Sequence, residues 1–176
     1  DEAAVRDFIA RFLAGHAAAL ARAKDHAAEV QALSGPDAER LRARYDRELA
    51  DARAFLNAED VADAGERAKV RRLRAAILFI ETNRDLPLLS WPGEILDGLI
   101  AAEQAMLVFR QRHARMVERV IGRRVGTGGS AGVEYLDQTA LAYRVFKEIW
   151  RTRTLLLDPQ LAPEPKQREF YGLRGE

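Results

Sequence analysis

An apolar stripe stepping alternately by four and three residues constrains this chain more than any other feature. It runs Ile95, Leu99, Ala102, Met106, Phe109, His113, Met116 with Val117, and Val120. That spacing puts every member on one side of an α-helix, whereas strand side chains alternate with period two. The stripe therefore predicts the inward seam of a long amphipathic helix, with His113 on the core side. Gly122 offers a C-terminal stop, and Gly126-Thr127-Gly128-Gly129-Ser130 follows as a loop whose backbone N–H groups can wrap a small anion. An imidazole among Phe, Met and Val on such a seam is where a helical bundle can hold a haem iron. On spacing alone, a core histidine and a plain connecting loop are the competing readings. The loop is neither a dinucleotide fingerprint, because a helix precedes it, nor a P-loop, because no Gly-Lys-Ser/Thr follows its glycines.

The rest of the chain reads as helix too. A first helix is expected over about residues 3–33, with Val5, Phe8, Ile9, Phe12, Leu13, Leu20 and Val30 inward. Ser34-Gly35-Pro36 breaks it. A second helix to about Asn57 carries Leu41, Tyr45, Leu49, Ala52 and Leu56, and its charged opposite face is a solvated surface. Residues 3–57 thus form a long antiparallel hairpin. A third helix is expected from about Glu66 to Arg84 on Val70, Leu73, Ile77 and Ile80. Leu86 to Gly93 reads as a turn with Pro87 and Pro92, and Ser90 as the N-cap of the His113 helix. After the glycine loop, a fifth helix over about 132–157 uses Leu136, Ala140, Tyr143, Phe146 and Trp150. The polar tail from Asp158 is expected to end irregularly. His16 and His26, ten residues apart, share no face and read as solvent or hairpin histidines. With no convincing strand and no repeat, the expected fold class is all-α: one helical-bundle domain over 1–176, divided into the hairpin at 3–57 and the loop-bearing helices at 66–157.

Composition narrows the chemistry. With 28 Lys plus Arg against 27 Asp plus Glu, no global field points to nucleic acid or an anionic membrane. The absence of cysteine removes disulfides, iron–sulfur clusters and thiolate-ligated haem. No apolar run approaches the roughly 20 residues that span a bilayer, and no signal-peptide pattern occurs, so a cytoplasmic protein is expected. The chain opens on Asp1, which hints at a trimmed, processed or incompletely represented polypeptide.

Two motifs carry a family resemblance. Arg112-His113-Ala114-Arg115-Met116-Val117-Glu118-Arg119-Val120-Ile121-Gly122, followed by Gly126-Thr127-Gly128-Gly129-Ser130-Ala131-Gly132-Val133-Glu134-Tyr135-Leu136, resembles the C-terminal signature of the tryptophan 2,3-dioxygenases. Tyr143-Arg144-Val145-Phe146-Lys147-Glu148-Ile149-Trp150, with Arg153, Thr154 and Leu155, is similar to the helix that follows in that family. The likeness continues back through Pro87 and Leu73 toward the first hairpin. It covers most of this chain, while the chain covers only the later part of such an enzyme.

The resemblance implies a haem b-dependent dioxygenase of tryptophan catabolism, in the kynurenine pathway. Such an enzyme cleaves the indole C2–C3 bond of L-tryptophan or a related indole with dioxygen, giving an N-formylkynurenine-type product. His113 is then the axial ligand of the haem iron, with Phe109, Met116 and Val117 around the cofactor and Thr127, Gly126 and Gly128 at the substrate. Arg110 and Arg112 are candidates for the haem propionates, with plain surface charge as the competing reading. The family's tetramers, in which neighbouring chains complete each other's sites, imply a homo-oligomer, and the alanines at 17, 18, 19 and 21 allow close helix packing. The family's distal histidine and carboxylate-binding arginine lie in an N-terminal portion with no counterpart here. No catalytic residue is therefore identified within the chain, and an N-terminal segment or a second chain would supply them. Gln111, Arg112 and Asp137 depart from the family pattern, which keeps two alternatives open. One is a histidine-ligated haem mono-oxygenase acting on another indole or aromatic amino acid; the other is a non-catalytic helical module.

Overall fold

The structure, a computed structural model, describes residues 1–30, 35–122, 133, 135, 136, 138, 144–157 and 161–173, with the side chains of 27–30 left aside. Six helices follow in order: α1 Glu2–Val30, α2 Gly35–Leu56, α3 Ala64–Thr82, α4 Pro87–Ile121, α5 Lys147–Arg153 and α6 Arg168–Tyr171. The described residues contain no strand, and the fold is all-α. They fall into two compact units, 1–93 with 151–176, and 94–150.

In the first unit α1 and α2 run antiparallel. Lys24 pairs with Asp46 at 2.6 Å near one end, while Phe8, Ile9 and Phe12 meet Ala52, Phe55 and Leu56 in the core at the other. α3 adds Ala75 and Leu78, and Leu155 closes the cluster. The α1 spacing of four and three produces this face directly, because residues so spaced stack on one side of a helix.

The turn after α2 delivers a charge to this core. Ala58 takes the left-handed conformation at φ +53°, and Glu59 N–H bonds the Ala54 carbonyl at 3.0 Å, which closes the helix end. Asp60 then meets Arg74, whose side chain is buried to 2 % exposure. Arg74 donates two bonds to the Asp60 carboxylate at 2.7 and 2.9 Å and one to the Phe55 carbonyl at 2.6 Å. Its guanidinium lies 4.0 Å from the centre of the Phe55 ring, and Arg151 reaches both the same ring and Asp60. The Arg74 hydrogen bond holds the Asp60 carboxyl far below the usual carboxylate range, against the opposing effect of burial and with added help from Arg151.

α3 differs from its expected form. Asp63 accepts the Glu66 N–H at 2.8 Å as an N-cap, so the helix begins at Ala64 rather than Glu66. Its buried face holds Arg74, Ala75, Ile77, Leu78 and Glu81, while Leu73 from the expected stripe is exposed. Two charges occupy that face because both are paired, Arg74 as above and Glu81 by Arg153 at 2.9 Å and Arg84 at 3.4 Å. Counting apolar residues alone turns the helix by about one position.

The expected turn at Leu86–Gly93 is instead the start of α4. Leu89 and Ser90 N–H groups bond the Leu86 carbonyl at 2.8 and 3.0 Å, so Ser90 lies inside the helix and is not its N-cap. Pro87 occupies the first helical position, where its fixed φ and missing N–H suit the geometry. Pro92 is tolerated within the helix with the loss of one backbone donor.

His16 belongs to the hairpin and is buried, while His26 is exposed. The His16 ring stacks on Phe12 with centroids 6.3 Å apart, and neither ring nitrogen has a hydrogen-bond partner among the described residues. Burial pushes its pKa below the ordinary imidazole value, and attraction to Glu48 only partly offsets this. The tail is tied down despite its irregular course. Arg11 donates to the Glu164 carbonyl at 2.9 Å, Lys166 pairs with Asp7, and Tyr171 packs edge-on against Phe79. Gly15 permits the closest approach: a Cβ there would sit 2.3 Å from the Leu161 carbonyl oxygen.

Two outcomes follow for stability. An unfolded histidine titrates near about pH 6.5. Below that value the unfolded chain takes up a proton that buried His16 resists, so stability falls as the pH drops. In denaturant titrations from pH 7.5 to 5, His16→Leu removes that part of the decline. Arg74→Met leaves Asp60 and the Phe55 carbonyl without their main partner and lowers unfolding free energy by about 3 kcal/mol. Chemical denaturation of the two proteins side by side measures the loss.

Candidate functional site

The second unit, 94–150, carries the residues singled out from sequence. α4 buries Leu96, Ile100 and Ala114, with Glu103 and Leu107 half-buried on the same stripe. The expected inward seam is a different one, and the structure leaves it largely open. Ile95, Ala102, Met106, Phe109, Met116 and Val120 are exposed, Phe109 to 63 % and Val120 to 78 %, while Leu99, His113 and Val117 are half-buried. The seam and the buried stripe are offset by about one residue, or roughly 100° around the helix. Periodicity finds a helix with apolar faces; it does not say which face this chain covers.

His113 therefore sits at the edge of an uncovered apolar surface. Its ring stacks on Phe109, one turn earlier, with centroids 6.1 Å apart and planes 20° from parallel. Met116 and Val117 follow on the next turn, exposed and half-buried. Beside this surface lies an open groove of about 800 Å³ lined by Gln111, Arg112, Arg115, Met116, Arg119 and Val120. Arg110 is half-buried and Arg112 exposed. An accessible imidazole, an uncovered apolar face and flanking guanidinium groups fit a planar apolar ligand that carries carboxylates, as haem does. Among the described residues no cluster of three His, Asp or Glu side chains could hold a bare metal ion.

α4 ends as its sequence requires. Gly122 adopts φ +64°, and its N–H bonds the Glu118 carbonyl at 2.9 Å. Gly126, Thr127 and Gly128, the expected substrate residues, lie outside the described residues. Residues 133, 135, 136 and 138 are helical, but 144–146 are not, and α5 begins only at Lys147. The expected continuous helix over 132–157 is thus interrupted.

The interruption has a visible partner. Glu103 Oε1 accepts the N–H groups of Val145 at 2.6 Å and Phe146 at 2.9 Å, and Oε2 accepts the Trp150 indole N–H at 2.6 Å. The Arg144 guanidinium lies 5.3 Å from the Trp150 ring centre. Desolvation pushes the Glu103 pKa up, but the Phe146, Trp150 and Val145 donors and the Arg144 charge together bring it below the usual carboxylate value. Sequence reasoning misses this carboxylate. Its signal is an acid placed on a helical stripe between Ile100 and Leu107, with an indole N–H downstream that needs an acceptor.

Comparison with known proteins decides what this arrangement belongs to. The family profile described as tryptophan 2,3-dioxygenase matches residues 5–156. The chain belongs to the tryptophan 2,3-dioxygenase family. It is 62 % identical over 148 residues to a tryptophan 2,3-dioxygenase of Sorangium cellulosum, covering 83 % of this chain and 36 % of that protein. A tryptophan 2,3-dioxygenase 2 of Ralstonia nicotianae is 49 % identical across 100 % of this chain and 48 % of its own length. A tryptophan 2,3-dioxygenase-like protein of Xanthomonas campestris is 51 % identical over 93 % of this chain and 62 % of its own. The chain therefore spans between about a third and two thirds of the length of these relatives. No helix among the described residues is long and apolar enough to cross a membrane.

Proposed function

We propose that this chain forms the haem-binding and substrate-binding part of an oxygenase of the tryptophan 2,3-dioxygenase type. Its reaction adds both atoms of dioxygen across the indole C2–C3 bond of L-tryptophan and yields N-formylkynurenine. The observation that carries the proposal is His113, half-buried beside stacked Phe109 on an uncovered apolar face in a chain of this family.

Each residue has a defined task in this reading. His113 offers a ring nitrogen lone pair to the iron of haem b, and its other nitrogen is left to a water or backbone acceptor that fixes the tautomer. Phe109, Met116 and Val117 would pack against the apolar macrocycle beside His113 and exclude water there. Arg112, with Arg119 along the same groove, offers guanidinium donors to the propionates, while Arg115 is already paired with Glu118. Thr127 supplies a hydroxyl, and Gly126 and Gly128 supply backbone N–H groups, to the amino-acid head of the substrate, which orients the indole. When bound, the haem supplies the redox-active iron for the oxygen chemistry, and the protein's contribution is placement and desolvation.

The distal histidine and carboxylate-binding arginine implied by the family have no counterpart in residues 1–176. In this proposal they come from the part of the relatives' length that the chain does not span, or from a neighbouring subunit of a homo-oligomer. The uncovered apolar face of α4 suits either source, since exposed patches of this kind mark interaction surfaces.

Haem titration followed by absorption spectroscopy tests the ligand. The protein gives a sharp Soret band and a histidine-ligated ferrous spectrum; His113→Ala loses both. Retention of the wild-type spectrum in that variant rules His113 out. Thr127→Val leaves the Soret band unchanged and raises KM for L-tryptophan roughly tenfold, because a substrate polar group loses its partner. Labelled dioxygen places two labelled oxygens in the product; one labelled oxygen would instead establish a mono-oxygenase.

A further inference from the structure

We infer that Glu103 is a positioning residue: its carboxylate clasps the segment 144–150 and thereby fixes the returning end of the glycine-loop excursion. This inference rests on the substrate-loop role given to Thr127 in the proposed function.

The clasp is defined by its demand for acceptors. Three N–H donors, from Val145, Phe146 and Trp150, converge on one side chain at 2.6 to 2.9 Å. Two arrive at one oxygen and the third at the other, so both carboxylate oxygens are used. Two of the donors are backbone groups just ahead of α5, where the first turn of a helix leaves N–H groups without intrahelical partners. A negative charge there is favoured by the helix dipole as well. The third donor, the half-buried indole, locks the orientation of the carboxylate and ties it to the body of α5. Neighbouring Arg144 over the Trp150 ring adds a smaller attraction to the Phe146, Trp150 and Val145 hydrogen bonds that hold Glu103 below the usual carboxylate range against desolvation.

The placement of this clasp gives it consequence. Glu103 and His113 lie on one continuous helix, about 15 Å apart along its axis. The contact from Glu103 to Val145 spans 42 residues, and within that span lie His113, Gly122 and the glycine loop with Thr127. One end of the excursion is set by Gly122 at the C-terminus of α4, and the other by Glu103. Under the role proposed for Thr127, a fixed return point at Val145 and Phe146 contributes to substrate affinity, because less ordering is then left to be done on binding. It does not touch the iron ligand.

The donor count requires a carboxylate at this position. Glu103→Gln keeps the shape but presents one oxygen and one NH2 group. If the amide oxygen keeps the backbone donors, the NH2 group faces the indole N–H, donor against donor. Trp150→Phe removes the donor that the amide cannot satisfy. The two substitutions therefore couple: Trp150→Phe weakens the clasp in the wild-type background and relieves it in the Glu103→Gln background.

Hydrogen exchange of the full chain, followed by peptide mass spectrometry, reads the clasp without reference to turnover. Glu103→Gln is expected to speed exchange roughly tenfold in 144–150 and in peptides from 123–143, with α1–α3 unchanged. Adding Trp150→Phe restores part of the protection. In the haem-loaded protein with L-tryptophan, Glu103→Gln raises KM several-fold with a smaller effect on kcat and an unaltered Soret band. Unchanged exchange in 144–150 would overturn the clasp, and faster exchange with an unchanged KM would overturn its positioning role. If the wild-type protein binds haem but turns over no indole, the proposed activity fails, and exchange in 123–143 then decides alone whether Glu103 holds the loop.

Discussion

A guanidinium taken out of water must find acceptors for its donors, and the first unit is arranged around one that does. Arg74 sits among the core side chains, and its partners are a backbone carbonyl at the end of α2 and the carboxylate of Asp60. For Asp60 to be there, the chain must leave α2 through the left-handed residue Ala58. The hydrophobic cluster of Phe8, Phe12, Leu56 and Leu78 supplies the larger part of the driving force but is tolerant of small shifts. The buried charge is not tolerant, because a partly satisfied ion in the interior is worse than none. Glu81 repeats the arrangement with opposite sign, drawing Arg84 and Arg153 to itself. The helix ends in this unit are thus fixed by charge pairing laid over an apolar core.

Much of this is legible in the sequence, and the differences have physical causes. The α1 stripe from Val5 to Leu20 and the α2 residues Ala52 and Leu56 are found because nothing but apolar contact decides their faces, while the Val30 side chain lies outside the described residues. The α3 face comes out rotated because Arg74 and Glu81 are charged, and hydrophobic periodicity places charges outside whatever their partners. α4 begins earlier than expected because Pro87 and Pro92 together look like turn residues, although the first is a favoured opening position. A long fifth helix is expected from Leu136, Phe146 and Trp150, and their spacing carries no trace of the Glu103 carboxylate that receives the Val145 and Phe146 donors.

His113 illustrates the limit of periodicity at the site itself. The sequence places it on an apolar stripe of a long helix, and its stacking on Phe109 agrees with that spacing. What the pattern does not convey is that this stripe is open while a neighbouring one is buried. An apolar face is a statement about what a surface tolerates next to it, and core, cofactor and partner chain satisfy it equally. Its exposure here, with arginines along one border, is what separates it from a core face.

The Glu103 clasp has a consequence for how such a chain can vary. A rigid rod carries both the iron-ligand candidate and the anchor of the returning segment, so the distance between them does not depend on what lies in the excursion. The two end points stay where the helix puts them. The spacing between the His113 ring and the anchor of the returning segment is therefore set by ten residues of α4 alone.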